Sequence, residues 1–209
     1  MTDEILSRGE RTRAEIVQAA HDLFIQQGFH GTSMRQIATQ AGIALGGLYN
    51  HFDSKEQVFK AVFMEYHPYR EVLPTLVDVQ GESIEQFLRS SLHRMIQTMQ
   101  TRPDFMNLMF IEIVEFKSVH VRELFNVIVP RVIPIIQALE QANSAELRPF
   151  PPMILMRIFI GFFFAYYLTD IVIAANAPEE FRRGAEDYFT EVMLHGVLAR
   201  QVPDETEAT

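Results

Sequence analysis

Apolar residues recur every three to four positions along most of the chain, which predicts helices rather than strands. In residues 9–27, for example, Ile16, Ala20 and Phe24 fall on one side of a helix that ends at Gly28. No segment of strand length alternates apolar with polar residues, and no Asn-Gly or Asp-Gly pair predicts a hairpin. We therefore predict an all-α fold with about nine helices.

Turn residues and prolines divide the chain into these helices. The predicted helices span about 9–27, 33–41, 44–52, 54–68, 83–101, 103–117, 119–142, 152–175 and 178–200. Pro130 and Pro134 should kink or break the seventh of them, because a proline lacks the backbone donor and clashes with the preceding turn. The last residues of the chain form a polar, acidic tail.

Residues 31–59 have the layout of a helix-turn-helix motif. Thr32 or Ser33 can cap a first short helix, and Gly42 provides the sharp turn that follows it. The second short helix has an inward apolar face that includes Leu48, and its opposite face is aromatic and polar. Only this second helix has the form of one that enters a major groove of DNA.

This segment resembles the amino-terminal domain of the TetR-type (tetracycline-repressor-like) family of transcriptional regulators. The resemblance covers about residues 9–60, from RTRAEIVQAAHDLFIQQGFHGTSMRQIA to GLYNHFDSKEQVF, and the run LYNHF followed by SKE is its most specific part. It implies a helix-turn-helix DNA-binding domain at 1–53 and an effector-binding and dimerisation domain at 54–209. The helix that starts at Ser54 would connect the two.

The resemblance also assigns DNA contacts residue by residue. Base-facing positions are Arg35, Leu45, Gly46, Tyr49 and Asn50, and backbone-facing positions are Thr32 or Ser33, Gly47, His51 and Lys55. The run from Ala44 to Gly47 departs from the family pattern, which often has a capping residue, a polar or basic residue and a Ser or Thr there. Because three hydrogen-bond donors are missing, we expect base readout to depend on few side chains.

The net charge of −9 by itself argues against a polyanionic partner, but the charge is unevenly distributed along the chain. Residues 1–60 have six basic and seven acidic side chains, giving −1, while residues 61–209 have twelve basic and twenty acidic ones, giving −8. Phosphate binding needs only a local positive patch. Arg8, Arg11, Arg13, Arg35 and Lys55 can form one, although Arg11 and Arg13 equally fit a solvated helix start.

The resemblance implies that the last two predicted helices, the eighth and the ninth, pair with their copies into a four-helix bundle. The eighth is apolar almost all round, which is more than one protomer can bury. Candidate interface residues are Phe181, Tyr188, Phe189, Val192, Met193 and Gly196. The alternatives are a monomer and a membrane span over 153–175, which Arg157 and Asp170 would interrupt.

An effector pocket is predicted among the fourth to eighth predicted helices, because Met and aromatic side chains can line an adaptable apolar site. The candidates are Phe63, Tyr66, Phe87, His93, Met109, Phe110, Ile113, Phe162, Phe163, Tyr166 and Asp170. The apolar members of this set also fit an ordinary core. Glu112 and Glu115, one turn apart, either face a cationic ligand or lie on an exposed helix face.

These features favour a cytoplasmic, ligand-responsive repressor that binds a palindromic double-stranded DNA operator as a homodimer and is released by a small, largely apolar effector. Cysteine is absent and the amino-terminal residues do not form a secretory signal. Without a phosphate loop, a Gly-x-Ser-x-Gly elbow or a metal-ligand histidine pair, we predict no enzyme activity, metal or cofactor. The alternative is a helical dimer that binds a small molecule or protein and has lost specific DNA binding.

Overall fold

The computed structural model describes residues 7–75, 84–102, 104–142, 148–173 and 176–197, and these residues form helices without a strand. The helices are α1 (Arg8–Gly31), α2 (Met34–Gln40), α3 (Leu45–Tyr49), α4 (Lys55–Tyr66), α5 (Tyr69–Thr75), α6 (Ile84–Gln100), α7 (Phe105–Glu115), α8 (Val119–Ala142), α9 (Pro152–Val172), α10 (Glu179–Arg182) and α11 (Ala185–Val197). The predicted all-α fold is confirmed. The short helices α5 and α10 are additions to the predicted set.

The chain divides into two compact units. The amino-terminal unit comprises Met1–His67 and Arg102–Val127, and the carboxy-terminal unit comprises Pro68–Thr101 and Ile128–Thr209. The amino-terminal unit therefore contains α1 to α4, α7 and the beginning of α8. The predicted boundary after residue 53 divides the chain by function and does not coincide with the division into packed units. It stays a prediction.

An aromatic cluster forms the core of the amino-terminal unit. The ring of Phe59 on α4 stacks on Phe116 with centroids 4.5 Å apart, and Phe116 also meets Phe29 edge-on at 4.9 Å. Phe24 on α1 packs against Phe59 at 5.5 Å. Because Phe116 lies at the turn between α7 and α8, the cluster fixes that turn against α1 and α4.

Glycines mark the two turns at which the sequence predicts helix ends. Gly28 has a φ of 74°, so the regular part of α1 ends there as predicted, and one further helical turn reaches Gly31. Gly42 has a φ of 69° and reverses the chain between α2 and α3. Of the two predicted outcomes at Pro130 and Pro134, the division into two helices is not seen: α8 continues through both prolines as one helix, and a kink there stays a prediction.

Helices α6, α9 and α11 pack together in the carboxy-terminal unit. Tyr166 on α9 meets Phe189 on α11 edge-on at 5.5 Å, and the Tyr167 hydroxyl donates a hydrogen bond to the Met99 carbonyl at 3.2 Å. Among the described residues, α9 alone is long and apolar enough to cross a membrane, by length and composition only. Just 22% of its most apolar window is buried within the chain, so most of its apolar surface remains to be covered.

Candidate nucleic-acid interface

The turn between α2 and α3 has the geometry that the sequence predicts. Ile37 of α2 and Leu48 of α3 are both fully buried, and Phe52 is buried just after α3. The Ile43 amide donates to the Ala38 carbonyl at 3.0 Å, which closes the corner between the two helices. Helix α3 is shorter than the predicted 44–52: it begins at Leu45 and ends at Tyr49, and Asn50 and His51 follow it as a turn.

The outward face of α3 presents an aromatic ring, an aliphatic side chain and an amide. Tyr49 is 49% exposed and Leu45 is 39% exposed, and Asn50 lies exposed directly after the helix. Gly46 is exposed beside them. The structure therefore brings the predicted base-facing residues of α3 together on one accessible surface, while their contact with bases stays a prediction.

Helix α2 contributes polar side chains next to α3. Ser33 caps α2 reciprocally with Gln36: the Ser33 hydroxyl accepts from the Gln36 amide at 3.3 Å, and the Gln36 side chain accepts from the Ser33 amide at 2.8 Å. Arg35 is exposed. Both residues line a cavity of about 450 Å³ together with Gln36, Leu23 and Thr39, so α2 offers a groove with one cation and several hydrogen-bonding groups.

Thr32 does not belong to this exposed surface. Its side chain is 2% exposed, and its hydroxyl donates to the Gly28 carbonyl at 2.9 Å, where α1 ends. Of the predicted pair, Ser33 is therefore the residue whose side chain can meet a DNA backbone. The half-buried His51 and Gly47 remain candidates for backbone contacts.

Lys55 has a role inside the protein that its sequence position does not reveal. Its ammonium donates to the carbonyls of Phe29 at 2.7 Å and Thr32 at 2.8 Å, and it lies 4.1 Å from the centroid of the Phe29 ring. These carbonyls lie at the end of α1, where a cation is favourable. An ammonium group has three donors, so the third can still reach a phosphate. Removing Lys55 would consequently weaken the fold as well as any phosphate contact.

Charged groups near the motif have mixed signs. Arg8, Arg11 and Arg13 are all exposed on α1, and the Arg13 guanidinium lies 5.1 Å from the centroid of Phe52. At the start of α4, a hydrogen bond from the Ser54 hydroxyl lowers the pKa of Glu56, which keeps that carboxylate ionised. Basic and acidic side chains therefore alternate around the motif, and the carboxylates of Glu10, Asp53 and Glu56 are among them.

The candidate pocket residues are distributed over both units. Phe63, Tyr66, Met109, Phe110 and Ile113 belong to the amino-terminal unit, and Phe87, His93, Phe162, Phe163, Tyr166 and Asp170 belong to the carboxy-terminal unit. Phe110 and Ile113 are 46% and 49% exposed, so they do not line an enclosed site in the described structure. Burial raises the pKa of Tyr66, and its hydroxyl donates to Gln18 at 2.5 Å. The pocket stays a prediction.

The two glutamates considered for a cationic ligand have protein partners instead. Glu112 is fully buried and accepts hydrogen bonds from the His120 amide at 2.7 Å and the Val121 amide at 3.2 Å, while its second oxygen lies 2.7 Å from His120 Nδ1. Glu115 pairs with the exposed His30 at 2.6 Å. Neither the ligand nor the exposed-face interpretation fits Glu112.

Most predicted interface residues are exposed on one protomer. Tyr188 is 72% exposed, Val192 is 61% exposed and Phe181 is 49% exposed, and Gly196 is exposed as well. Met193 is 1% exposed and packs within the protomer, so its side chain has almost no surface to offer a partner. Phe189 is half-buried against Tyr166 and can contribute only in part.

The amino-terminal residues match a known family. Residues 16–62 match the amino-terminal domain of the family described as bacterial regulatory proteins, tetR family. The HTH-type transcriptional regulator UidR of Escherichia coli K12 is 37% identical over 65 residues, which are 31% of this chain and 33% of UidR. This match therefore spans only about a third of that relative.

Two solved structures resemble nearly the whole chain. A structure from Mesorhizobium loti, assigned to the TetR family, covers 93% of this chain and 100% of its own, with a TM-score of 0.69 and 22% identity. NalD of Pseudomonas aeruginosa, the secondary repressor of the MexAB-OprM multidrug efflux pump, covers 90% of this chain and 96% of its own, with a TM-score of 0.65 and 22% identity. At such identity these structures establish the fold alone.

Proposed function

We propose, because this chain belongs to the TetR-type family of regulators, that it is a cytoplasmic transcriptional repressor that binds a palindromic operator as a homodimer and is released by a small-molecule effector. The single observation that carries the DNA-binding part is the exposed face of α3 with Leu45, Tyr49 and Asn50. Gly42 and the buried Leu48 hold that face in a helix-turn-helix.

The dimer is supported by the outer face of α9 and α11. Along α9 the exposed positions follow one another at helical spacing, on the side opposite to the buried Phe163: Ile154, Arg157, Gly161, Ala165, Leu168 and Val172. The small residues Gly161 and Ala165 would let a second helix approach closely. Because this exposed stripe is apolar apart from Arg157 at its amino-terminal end, a copy of the same surface is a suitable partner for it.

Dimerisation also matters for specificity. One small reading head buries little surface, whereas two heads related by a two-fold axis read both halves of a palindrome. An effector can release DNA only if it prefers one arrangement of these two heads over the other.

A selection of duplexes from a random pool tests this function. Carried out with the full-length dimer at low salt and without effector, it is expected to recover a palindrome. The second candidate function, a dimer that has lost specific DNA binding, is favoured by the few donors on α3, where Leu45, Gly46 and Gly47 lack polar side chains. Recovery of no enriched sequence would support that alternative.

Single substitutions on the reading surface should change specificity as well as affinity. Arg35→Ala and Asn50→Ala are each expected to cost roughly 1 to 3 kcal/mol of operator binding and to relax the preference at particular base pairs. Binding of variant operators by fluorescence anisotropy measures this. Asn107→Ala, an exposed change of the same kind on α7, serves as the control. A uniform loss on all sequences would show that these side chains touch only the backbone.

The two glycines of α3 offer a test that separates folding from binding. An added Cβ at Gly46 or Gly47 would meet no protein atom within 4 Å, so the fold itself does not require glycine there. Since alanine favours a helix over glycine by about 1 kcal/mol, Gly46→Ala should raise the stability of the protein slightly. The same change should weaken operator binding if the α3 backbone approaches DNA closely.

Thermal unfolding and anisotropy on the same samples measure the two effects. Gly9→Ala on α1, where a Cβ is equally unobstructed, is the matched control and should leave operator binding unchanged. If Gly46→Ala and Gly47→Ala bind the operator as well as the parent protein does, the α3 backbone does not lie against DNA.

A further inference from the structure

The outward face of α3 has two large side chains that the protomer does not cover. Leu45 and Tyr49 lie one turn apart on this face and are 39% and 49% exposed. The side chains that fix the helix in the motif are Leu48 and Phe52, which are 0% and 4% exposed. Leu45 and Tyr49 are therefore available for a contact outside the protomer.

The side-chain polar groups of this face are confined to one part of it. Ala44, Leu45 and Gly46 are all exposed, and none of their side chains can donate or accept a hydrogen bond. The Tyr49 hydroxyl and the Asn50 amide follow where the helix ends. A Cβ added at Gly46 would meet no protein atom within 4 Å, so the space in front of Leu45 is open. We call residues 44–46 the apolar segment of α3.

An apolar side chain can distinguish bases in the major groove in only one way. Every base pair shows hydrogen-bond donors and acceptors there, and thymine alone adds an apolar group, its C5-methyl. If Leu45 covered the polar edge of guanine or cytosine, it would displace water from those groups without replacing their hydrogen bonds, which is unfavourable. The same side chain against a thymine methyl gains the burial of apolar surface. The apolar segment therefore favours thymine and disfavours a G·C pair.

We propose that Leu45 recognises the C5-methyl group of a thymine in each half-site of the operator, which makes it a specificity-determining residue. This inference rests on the proposed function, because it places α3 in the major groove. It also gives a reason for the donors that the apolar segment lacks, since selection of a methyl group requires no hydrogen bond. Arg35 and Asn50 remain the candidates for the polar base edges beside that thymine, because guanidinium and amide groups suit guanine and adenine.

Operators that contain deoxyuridine test the methyl contact. Deoxyuridine keeps the hydrogen-bonding groups of thymidine and lacks only the methyl. In the palindrome recovered by selection, each thymine is replaced in turn in both half-sites, and fluorescence anisotropy with the full-length protein measures the affinity. For at least one thymine we expect a loss of roughly fourfold per half-site, hence about fifteenfold for the palindrome, from the burial of one methyl group. Half-sites without thymine, or unchanged affinity at every replaced thymine, would overturn the proposal.

Variants of the protein assign the effect to Leu45. Leu45→Ala should bind the thymine and deoxyuridine operators equally, whereas Leu45→Met keeps a long apolar side chain and should retain most of the difference. Tyr49→Phe removes only a hydroxyl from the same face and is the matched control, which should discriminate as the parent protein does. Thermal unfolding verifies that each variant is folded. If Leu45→Ala discriminates as strongly as the parent protein, the methyl acts through the stacking of the duplex and the proposal is overturned.

The outcomes separate this inference from the proposed function. If the selection enriches no sequence, the proposed function fails, and recognition of thymine by Leu45 fails with it. If a palindrome is enriched and bound but Leu45→Ala leaves the preference for thymine over deoxyuridine unchanged, DNA binding stands and only the role of Leu45 is overturned. Loss of that preference in Leu45→Ala, with its retention in Tyr49→Phe, is the result that supports both.

Discussion

Val192→Glu is expected to convert the dimer into a folded monomer at micromolar concentration and to reduce operator affinity by at least about a hundredfold. Val192 on α11 is 61% exposed in the protomer, so the charge meets water there and the protomer should stay folded. In the proposed dimer each protomer would contribute one such glutamate, so the apolar interface would contain two buried charges. An unpaired charge in such a setting costs several kcal/mol.

Sedimentation velocity measures the oligomeric state, and thermal unfolding verifies the fold. Val114→Glu is the matched control, because Val114 on α7 is 70% exposed and the substitution is identical. It should remain dimeric and keep its operator affinity. A Val192→Glu protein that sediments as a dimer at micromolar concentration would remove α11 from the interface. Phe189 is a poorer site for this test, since it packs against Tyr166 within the protomer.

Glu112→Ala should destabilise the protein by about 3 to 5 kcal/mol, the largest loss that we expect from a single polar side chain here. The first amides of a helix have no partner within the helix, and the Glu112 carboxylate accepts from two of them, at His120 and Val121. It also faces His120 Nδ1 at 2.7 Å, and Glu112 is fully buried there while His120 is 7% exposed. Alanine would leave these buried donors without an acceptor.

Glu112→Gln should lose less stability than Glu112→Ala. The amide oxygen of glutamine can still accept from the backbone, and its amide nitrogen can donate to the other tautomer of His120. Glu115→Ala is the control: its carboxylate pairs with an exposed His30, so the loss should be below about 1 kcal/mol. Guanidinium unfolding curves with an unchanged slope measure the three values. A Glu112→Ala protein as stable as Glu115→Ala would contradict the structural role of Glu112.

The corner between α7 and α8 shows where sequence reasoning ends. Phe116 and His120 pack on Phe59 of α4, with ring centroids 4.5 and 6.0 Å apart, and Glu112 fixes the first turn of α8. Helical periodicity placed Glu112 on a helix and left open whether it faced a ligand or solvent. Periodicity could not predict that Glu112 pairs with His120, because that pairing depends on how α7 and α8 meet in space.

Lys55 and Thr32 illustrate the same limit in the reading head. Their type and spacing fit DNA contacts, yet the Lys55 ammonium binds the carbonyls of Phe29 and Thr32, and the Thr32 hydroxyl binds that of Gly28. Those carbonyls become available only because α1 ends at Gly28 and α4 begins beside them. Phe29, one of the two backbone partners of Lys55, thus precedes it by 26 residues in the chain.

The sequence by itself determined the features that depend on neighbouring residues: the helices, the turns at Gly28 and Gly42, a cap at Thr32 or Ser33 and the inward position of Leu48. These follow from local periodicity and backbone preference, which a linear pattern contains.

Only the tertiary structure decided which polar groups pair and which apolar faces stay uncovered. In the folded chain Met193 is buried, the Glu112 carboxylate is paired with His120, and Arg70 and Arg131 line one cleft. Such pairings join residues that are far apart in the chain; His30 and Glu115, for example, are 85 positions apart. The energy of each pairing depends on the distance between the groups and on their burial, and the periodicity of a sequence contains neither.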